Sequence, residues 1–224
     1  MQPDDLEGAV KVSTHPKTAR LGRPSAAEAA RKQEQLLEVA LDIFLDRGFE
    51  RTTMEDIARA AQMSKRTLYS RYLDKQAIFL AAIKAASERY TVSVEALRKV
   101  ETDDLKATLL AVARLRLNNL SSPEGLRLQR ILSAQSYRFP ELFNSLFESH
   151  TGPTLDFLVD LFTRATSDGQ LAISDPRAAS TAFLSLVLGG PARQLIAGSH
   201  LDSSELEARL VYAVTLFLDG TRPR

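Results

Sequence analysis

The chain has 224 residues, 44% of them apolar, and a formal net charge of +1. The apolar share is enough to bury a core and excludes a solvated polar tail, while the near-neutral balance excludes bulk basicity as an argument for a nucleic-acid partner. Cysteine is absent, which excludes a disulfide framework, a thiolate metal site and a thiol nucleophile. No run approaches the ~18 apolar residues of a membrane span. The start, MQPDDLEGAVKV, lacks the basic-then-apolar order of a signal peptide, so a cytoplasmic protein with no membrane partner is expected.

Residues 1–24 carry Pro3, Pro16, Pro24, Gly8 and Gly22 without hydrophobic periodicity and read as a flexible arm, basic towards its end at Lys17, Arg20 and Arg23. From Ala26 to Arg47 the apolar positions Leu37, Ala40, Leu41, Phe44 and Leu45 recur at three- and four-residue steps, and Gly48 follows as a C-cap. Thr52 or Thr53 caps a short second helix, about Met54 to Ala61. Ser64 caps a third, Lys65 to Tyr72, and Asp74 a fourth that begins at Lys75. Further helices are expected over Lys75–Lys99, Asp103–Leu120, Pro123–Gln135, Pro140–Phe147, Pro153–Ser167, Pro176–Ala197 and Ser204–Leu218. No strand alternation or internal repeat emerges, so the expected class is all-α.

The second and third helices, joined by a tight turn, have the proportions of a helix-turn-helix unit, with Ile57, Ala58 and Ala61 lining one side and Leu68 and Tyr72 the other. Charge supports that reading locally. Lys17 to Lys75 holds 12 Lys and Arg against 9 Asp and Glu, and Tyr90 to Arg224 holds 14 against 15. Lys65, Arg66, Arg71 and Lys75 interleave with Tyr69 and Tyr72, a pattern suited to phosphates. The first turn of a helix entering the major groove would present Ser64, Lys65, Arg66 and Thr67 to base edges, with Arg66 the leading reader because arginine pairs bidentately with guanine. Thr52, Thr53 and Lys75 stand at helix starts that favour an anion, and Arg20 and Arg23 are candidates for a minor-groove arm. For each of these residues the plainer alternative is a cap, a core contact or a solvated charge.

The segment FERTTMEDIARAAQMSKRTLYSRYLDKQA, with the preceding ALDIFLDRG, resembles the DNA-binding domain of the TetR/AcrR family of transcription regulators. The resemblance implies that Lys65–Tyr72 is a recognition helix, that Tyr69 meets phosphate and Tyr72 the core, and that the chain binds double-stranded DNA as a homodimer. Gln62 departs from the family pattern, which commonly has glycine there. YRFPELFNSLFES and DGQLAISDPRAASTAFLSLVLGG look like the C-terminal domain of the AefR-like branch. Three regions are therefore expected: an arm over 1–24, a three-helix helix-turn-helix domain over 25–80, and a helical ligand-binding and dimerisation domain over 81–224.

In that last region Leu117, Leu120, Ile131, Tyr137, Phe139, Phe143, Phe147, Phe157 and Phe162 are candidate pocket residues for an apolar or amphipathic effector, with core packing as the alternative. Arg127, Arg130 and Arg138 are candidates to meet an acidic ligand. Apolar stripes bearing Phe183, Leu186, Val187, Leu210, Val214 and Phe217 must be covered by the chain's own core or by a second copy. His15, His150 and His200 are scattered without metal-ligand spacing, and no phosphate loop, nucleophile elbow or paired-carboxylate motif occurs. No catalytic residue, metal site or cofactor is expected. The leading function is a repressor released from a palindromic operator by a small molecule; the alternatives are an activator or protein-responsive regulator of the same fold, and, more remotely, an all-helical enzyme.

Overall fold

The computed structural model describes residues 25–199 and 202–223, together with the backbone alone at 142, 143 and 147. The expected arm, with Arg20 and Arg23, lies outside these residues. The described chain forms ten helices and no strand: α1 (Ala26–Arg47), α2 (Met54–Ala60), α3 (Lys65–Tyr69), α4 (Lys75–Tyr90), α5 (Val94–Lys99), α6 (Leu105–Ser121), α7 (Pro123–Gln135), α8 (Pro140–Ser167), α9 (Pro176–Ile196) and α10 (Ser203–Thr221). The all-helical class is as the sequence indicates.

Capping explains most of the boundaries. Ser25, Thr53, Ser64, Asp74, Ser93, Asp104, Ser122, Asp175 and Asp202 each accept a backbone N–H of their helix's first turn, satisfying a donor the helix leaves open. Three expected boundaries are corrected. The third helix ends at Tyr69 instead of Tyr72, with Ser70 as its C-cap donating from its N to Arg66 O at 3.0 Å. The fourth helix stops at Tyr90 instead of reaching Lys99, because Ser93 takes an N-cap geometry and accepts from Ala96 N at 3.1 Å, starting α5. The expected pair Pro140–Phe147 and Pro153–Ser167 is one helix with Pro153 inside it. A proline forfeits one backbone hydrogen bond; here Leu146 is buried on one side of Pro153 and Leu155, Leu158 and Phe162 on the other, so packing holds both halves in line.

Two apolar clusters carry the packing. In the first, Phe44, Phe49, Phe79 and Phe139 form a chain of ring contacts with centroids 5.0–5.7 Å apart, surrounded by Ile57, Leu68, Tyr72, Ile78 and Ile83. Fully burying such a side chain contributes about 1.5–3 kcal/mol. The second cluster centres on Phe162, Phe183 and Phe217, with Leu109, Val112, Leu158, Val187 and Val214. α4 crosses the expected boundary at residue 80: its Ala82, Ile83 and Ala86 belong to the first cluster, as do Leu128 and Ile131 of α7 and Leu146 of α8.

The turn between α2 and α3 is closed by Met63 N donating to Ala58 O at 2.8 Å and Gln62 N to Arg59 O at 3.2 Å. These two bonds form a Schellman motif, which needs a left-handed residue at its centre. Gln62 supplies it with φ at 52°, unique among the described non-glycine residues. A side chain in that region costs about 1–2 kcal/mol, part of which glycine would return as unfolded-chain entropy. Gln62→Gly is therefore expected to raise stability by about 0.5–1 kcal/mol, read as a higher denaturant midpoint with an unchanged slope.

Candidate nucleic-acid interface and cavity

α3 is a short helix whose inner side is fixed and whose outer side is bare. Leu68 is fully buried, and Tyr72, just beyond the helix, is 9% exposed, with its hydroxyl accepting from Gln33 Nε2 on α1. Burial raises the Tyr72 pKa above the usual phenol value. On the outer side Ser64, Lys65, Arg66, Thr67 and Tyr69 are exposed. Ser64 Oγ accepts from Thr67 N at 3.1 Å and lies 2.8 Å from Thr67 Oγ1. Lys65 Nζ pairs with Glu55 Oε1 of α2 at 2.8 Å, and this bond holds the Glu55 carboxyl below its ordinary value. Arg71 Nη1 donates to Gln33 Oε1 at 2.9 Å, bracing it against α1. Arg66 is exposed and makes no ion pair or side-chain hydrogen bond among the described residues, so its guanidinium keeps all its donors for another partner.

Two residues expected at phosphates are occupied elsewhere. Thr52 is 1% exposed; its hydroxyl donates to Gly48 O at 2.8 Å, locking the α1–α2 turn. Lys75 Nζ donates to Phe49 O at 2.8 Å and Glu50 O at 3.1 Å and sits 4.6 Å from the Phe49 ring centroid, which ties α4 to the same turn. Thr53 remains at the surface as the N-cap of α2, in a capping box with Asp56.

The expected interface residues are likewise mostly interior. Phe183, Val187, Leu210, Val214 and Phe217 are all buried in the chain's own second cluster, because α9 and α10 turn these stripes towards α6 and α8. Leu186 is the exception at 42% exposed, and on α10 Val211, Tyr212 and Leu216 are also exposed.

Between α4, α6, α7, α8 and α9 lies a cavity of about 280 Å³. Of the expected pocket residues Leu120 lines it. Leu117 borders a separate recess, Ile131 and Phe139 pack with the first cluster, Phe157 and Phe162 with the second, and Tyr137 is fully exposed. The side chains of Phe143 and Phe147 lie outside the description. Two polar groups stand out on the wall. Arg116 is 6% exposed; its Nη1 reaches His150 O at 3.5 Å, and its Nε has no partner among the described residues. Burial brings its pKa down to about 10. His150 Nδ1 lies 3.2 Å from Thr91 Oγ1. Burial, followed by the charge of Arg116, lowers this imidazole to about 4. At neutral pH the wall therefore carries a cationic guanidinium and a neutral imidazole.

A model of the tetR family of bacterial regulatory proteins matches residues 36–82, and one described as the C-terminal domain of AefR-like transcriptional repressors matches residues 107–220. The chain belongs to the TetR family of transcriptional regulators. The flavonoid-responsive regulator FrrA is 30% identical, with a TM-score of 0.69 over 87% of this chain and 99% of that one. A TetR-family structure from Mesorhizobium loti gives a TM-score of 0.73 over 87% and 98% at 24% identity, a likeness of fold. The regulator TcmR of Streptomyces glaucescens is 35% identical over 65 residues, 29% of each chain, so this chain spans under a third of that relative.

As a TetR-family protein, the chain is a DNA-binding transcriptional regulator, and α2 and α3 are its helix-turn-helix. Residue-by-residue reading of the sequence missed Arg116 and His150. A signal for Arg116 was present: Leu109, Val112, Ala113, Arg116, Leu117 and Leu120 follow the 3.6-residue period, which places the arginine within the apolar stripe of α6. Arg127, Arg130 and Arg138 are engaged outside the cavity, with Asp42 at 2.8 Å, with Ile196 O at 3.3 Å and with Glu50 respectively.

The imidazole provides a test of this geometry. Unfolded, His150 takes up a proton near pH 6.5; folded, it resists until about 4. Between those values the unfolded state binds more protons, so His150 destabilises the fold progressively as pH falls, by about 3 kcal/mol at pH 4. His150→Gln is expected to flatten the decline in stability between pH 6.5 and 4, measured by urea unfolding at a series of pH values; parallel curves for the two proteins would contradict the assignment.

Proposed function

We propose that this TetR-family regulator is a homodimeric repressor that leaves a palindromic operator when a small apolar or amphipathic molecule occupies the cavity. The observation that carries the reading is the path of α4. Its first residue, Lys75, is bonded to the α1–α2 turn of the DNA-binding half, and its last turns, Ser87 and Tyr90, are on the cavity wall. A change in the cavity thus has a direct mechanical route to the helix-turn-helix. The α7–α8 connection offers a second, since Arg138 pairs with Glu50 and lies 4.6 Å from the Phe49 ring centroid.

Dimerisation is supported by apolar side chains left exposed on both helices, Leu186 on α9 and Val211, Tyr212 and Leu216 on α10; a twofold-related copy would cover them. Recognition helices of such a dimer read half-sites roughly 34–36 Å apart, and a ligand that favours another spacing weakens binding by population shift. Repression is supported by the matched C-terminal family, described as that of AefR-like repressors, and small-molecule control by the name of FrrA, a flavonoid-responsive regulator.

At the groove Arg66 reads a base, Lys65 exchanges Glu55 for DNA, and Thr53, Ser64, Thr67, Tyr69 and Arg71 contact backbone or base edges; Arg20 and Arg23 remain candidates for the minor groove. Selection of bound duplexes from a random pool is expected to return a palindrome. Arg66→Ala should relax one position in each half-site at a cost of about 1–3 kcal/mol, while leaving stability unchanged. Salt-sensitive binding with no enriched site would overturn the reading.

A further inference from the structure

The cavity wall mixes apolar side chains, Leu120, Leu128, Leu132, Leu155, Leu184 and Leu188 among them, with uncharged polar ones such as Asn119, Gln129 and Ser185. Into this surface projects Arg116, more than nine-tenths buried and without a carboxylate partner among the described residues. Its one hydrogen bond among the described residues, to the His150 carbonyl, is long at 3.5 Å. A buried guanidinium without a counter-charge is among the costliest arrangements a protein interior can hold, whereas methionine or leucine at the same place would pack without that cost. Other arginines of the α6–α7 region show what this one lacks: Arg114 is bidentate with Glu207, and Arg127 reaches Asp42.

We infer that the cavity takes a compact monocarboxylic acid, an apolar body whose single carboxylate seats on the Arg116 guanidinium. This rests on the small-molecule reading above and specifies the ligand's chemistry. The guanidinium is a planar fork of donors that matches a carboxylate bidentately. Charge count among the described residues favours an anion with one negative charge: His150 is neutral at pH 7, and no lysine or second arginine of these residues lines the wall. A nucleotide or acyl-coenzyme thioester carries several phosphates, for which the described wall offers no further cation. The volume of about 280 Å³, at the low end of the roughly 300–1,000 Å³ usual for small-molecule sites, suits a bicyclic aryl acid or a medium-chain acid.

The test pairs acids with neutral analogues of the same shape. 1-Naphthaleneacetic acid and its methyl ester, and decanoic acid and 1-decanol, are titrated calorimetrically into the full-length wild type, Arg116→Met and Arg116→Lys. Circular dichroism and the thermal midpoint establish that the variants are folded, and operator affinity is measured in parallel. At least one acid is expected to bind the wild type about 10- to 100-fold more tightly than its neutral analogue. Arg116→Met should abolish that preference while still binding the neutral analogue, and Arg116→Lys should retain part of it. Equal binding of acid and neutral analogue, an unchanged preference in Arg116→Met, or binding of none of the four would overturn the acid assignment. If an acid binds through Arg116 without altering operator affinity, the site stands and ligand-controlled repression fails, so the two failures are distinguishable.

Discussion

The structure depends on one helix serving two neighbourhoods. α4 runs 16 residues, about 24 Å; it begins on the Phe49–Glu50 turn and ends against the cavity. Lys75 is held at that turn by two carbonyls and an aromatic face, while Ile78, Phe79, Ala82, Ile83 and Ala86 bury one side of the helix among α1, α7 and α8. Small residues such as Ala40, Ala82 and Ala86 are fully buried, which suits close approach of α1 and α4. An element packed this tightly transmits a displacement instead of absorbing it, and this is the route of the proposed coupling between the recognition surface and the cavity.

The second organising feature is a conflict between stability and function. Arg116 and His150 place a cation beside an imidazole kept neutral by its surroundings, with no carboxylate among the described residues to balance them. Nothing in the packing of α6 demands an arginine at a position that continues an apolar stripe. Such local inconsistencies are expected where a site must meet a ligand. By contrast several surface arginines have carboxylate partners, as in Arg98 with Glu101 and Asp160 or Arg177 with Asp156.

The fold was legible because its signals are local. Caps such as Ser64 and Asp74, Pro123 and Pro176 at first turns, and the three- and four-residue spacing of apolar positions all act within a few residues, and the structure follows them. The exceptions depended on distant contacts: Pro153 reads as a helix start until Leu146 and Leu155 are seen anchored in different clusters, and the break after Tyr90 has only Ser93 to announce it. Site residues divided in the same way. The exposure of Arg66 follows from its place beside buried Leu68 on a short helix. Which side of α9 and α10 faces inward does not follow from sequence, since α9 is apolar on nearly every side, and so Phe183 and Val187 are interior while Leu186 is outside. The bonds of Thr52 to Gly48 and of Lys75 to Phe49 are likewise products of how the chain turns.

The most direct test of the shared helix is amide hydrogen exchange on the full-length protein, free and bound to its selected operator duplex. Binding energies coupled between two sites are reciprocal, so under the proposed coupling the engagement of DNA by α3 is felt at the cavity. Altered protection is predicted at Ser87–Tyr90 and along Gly125–Leu132, neither of which belongs to the DNA-facing surface. Changes confined to α1, α2, α3 and the first turns of α4 would contradict the account.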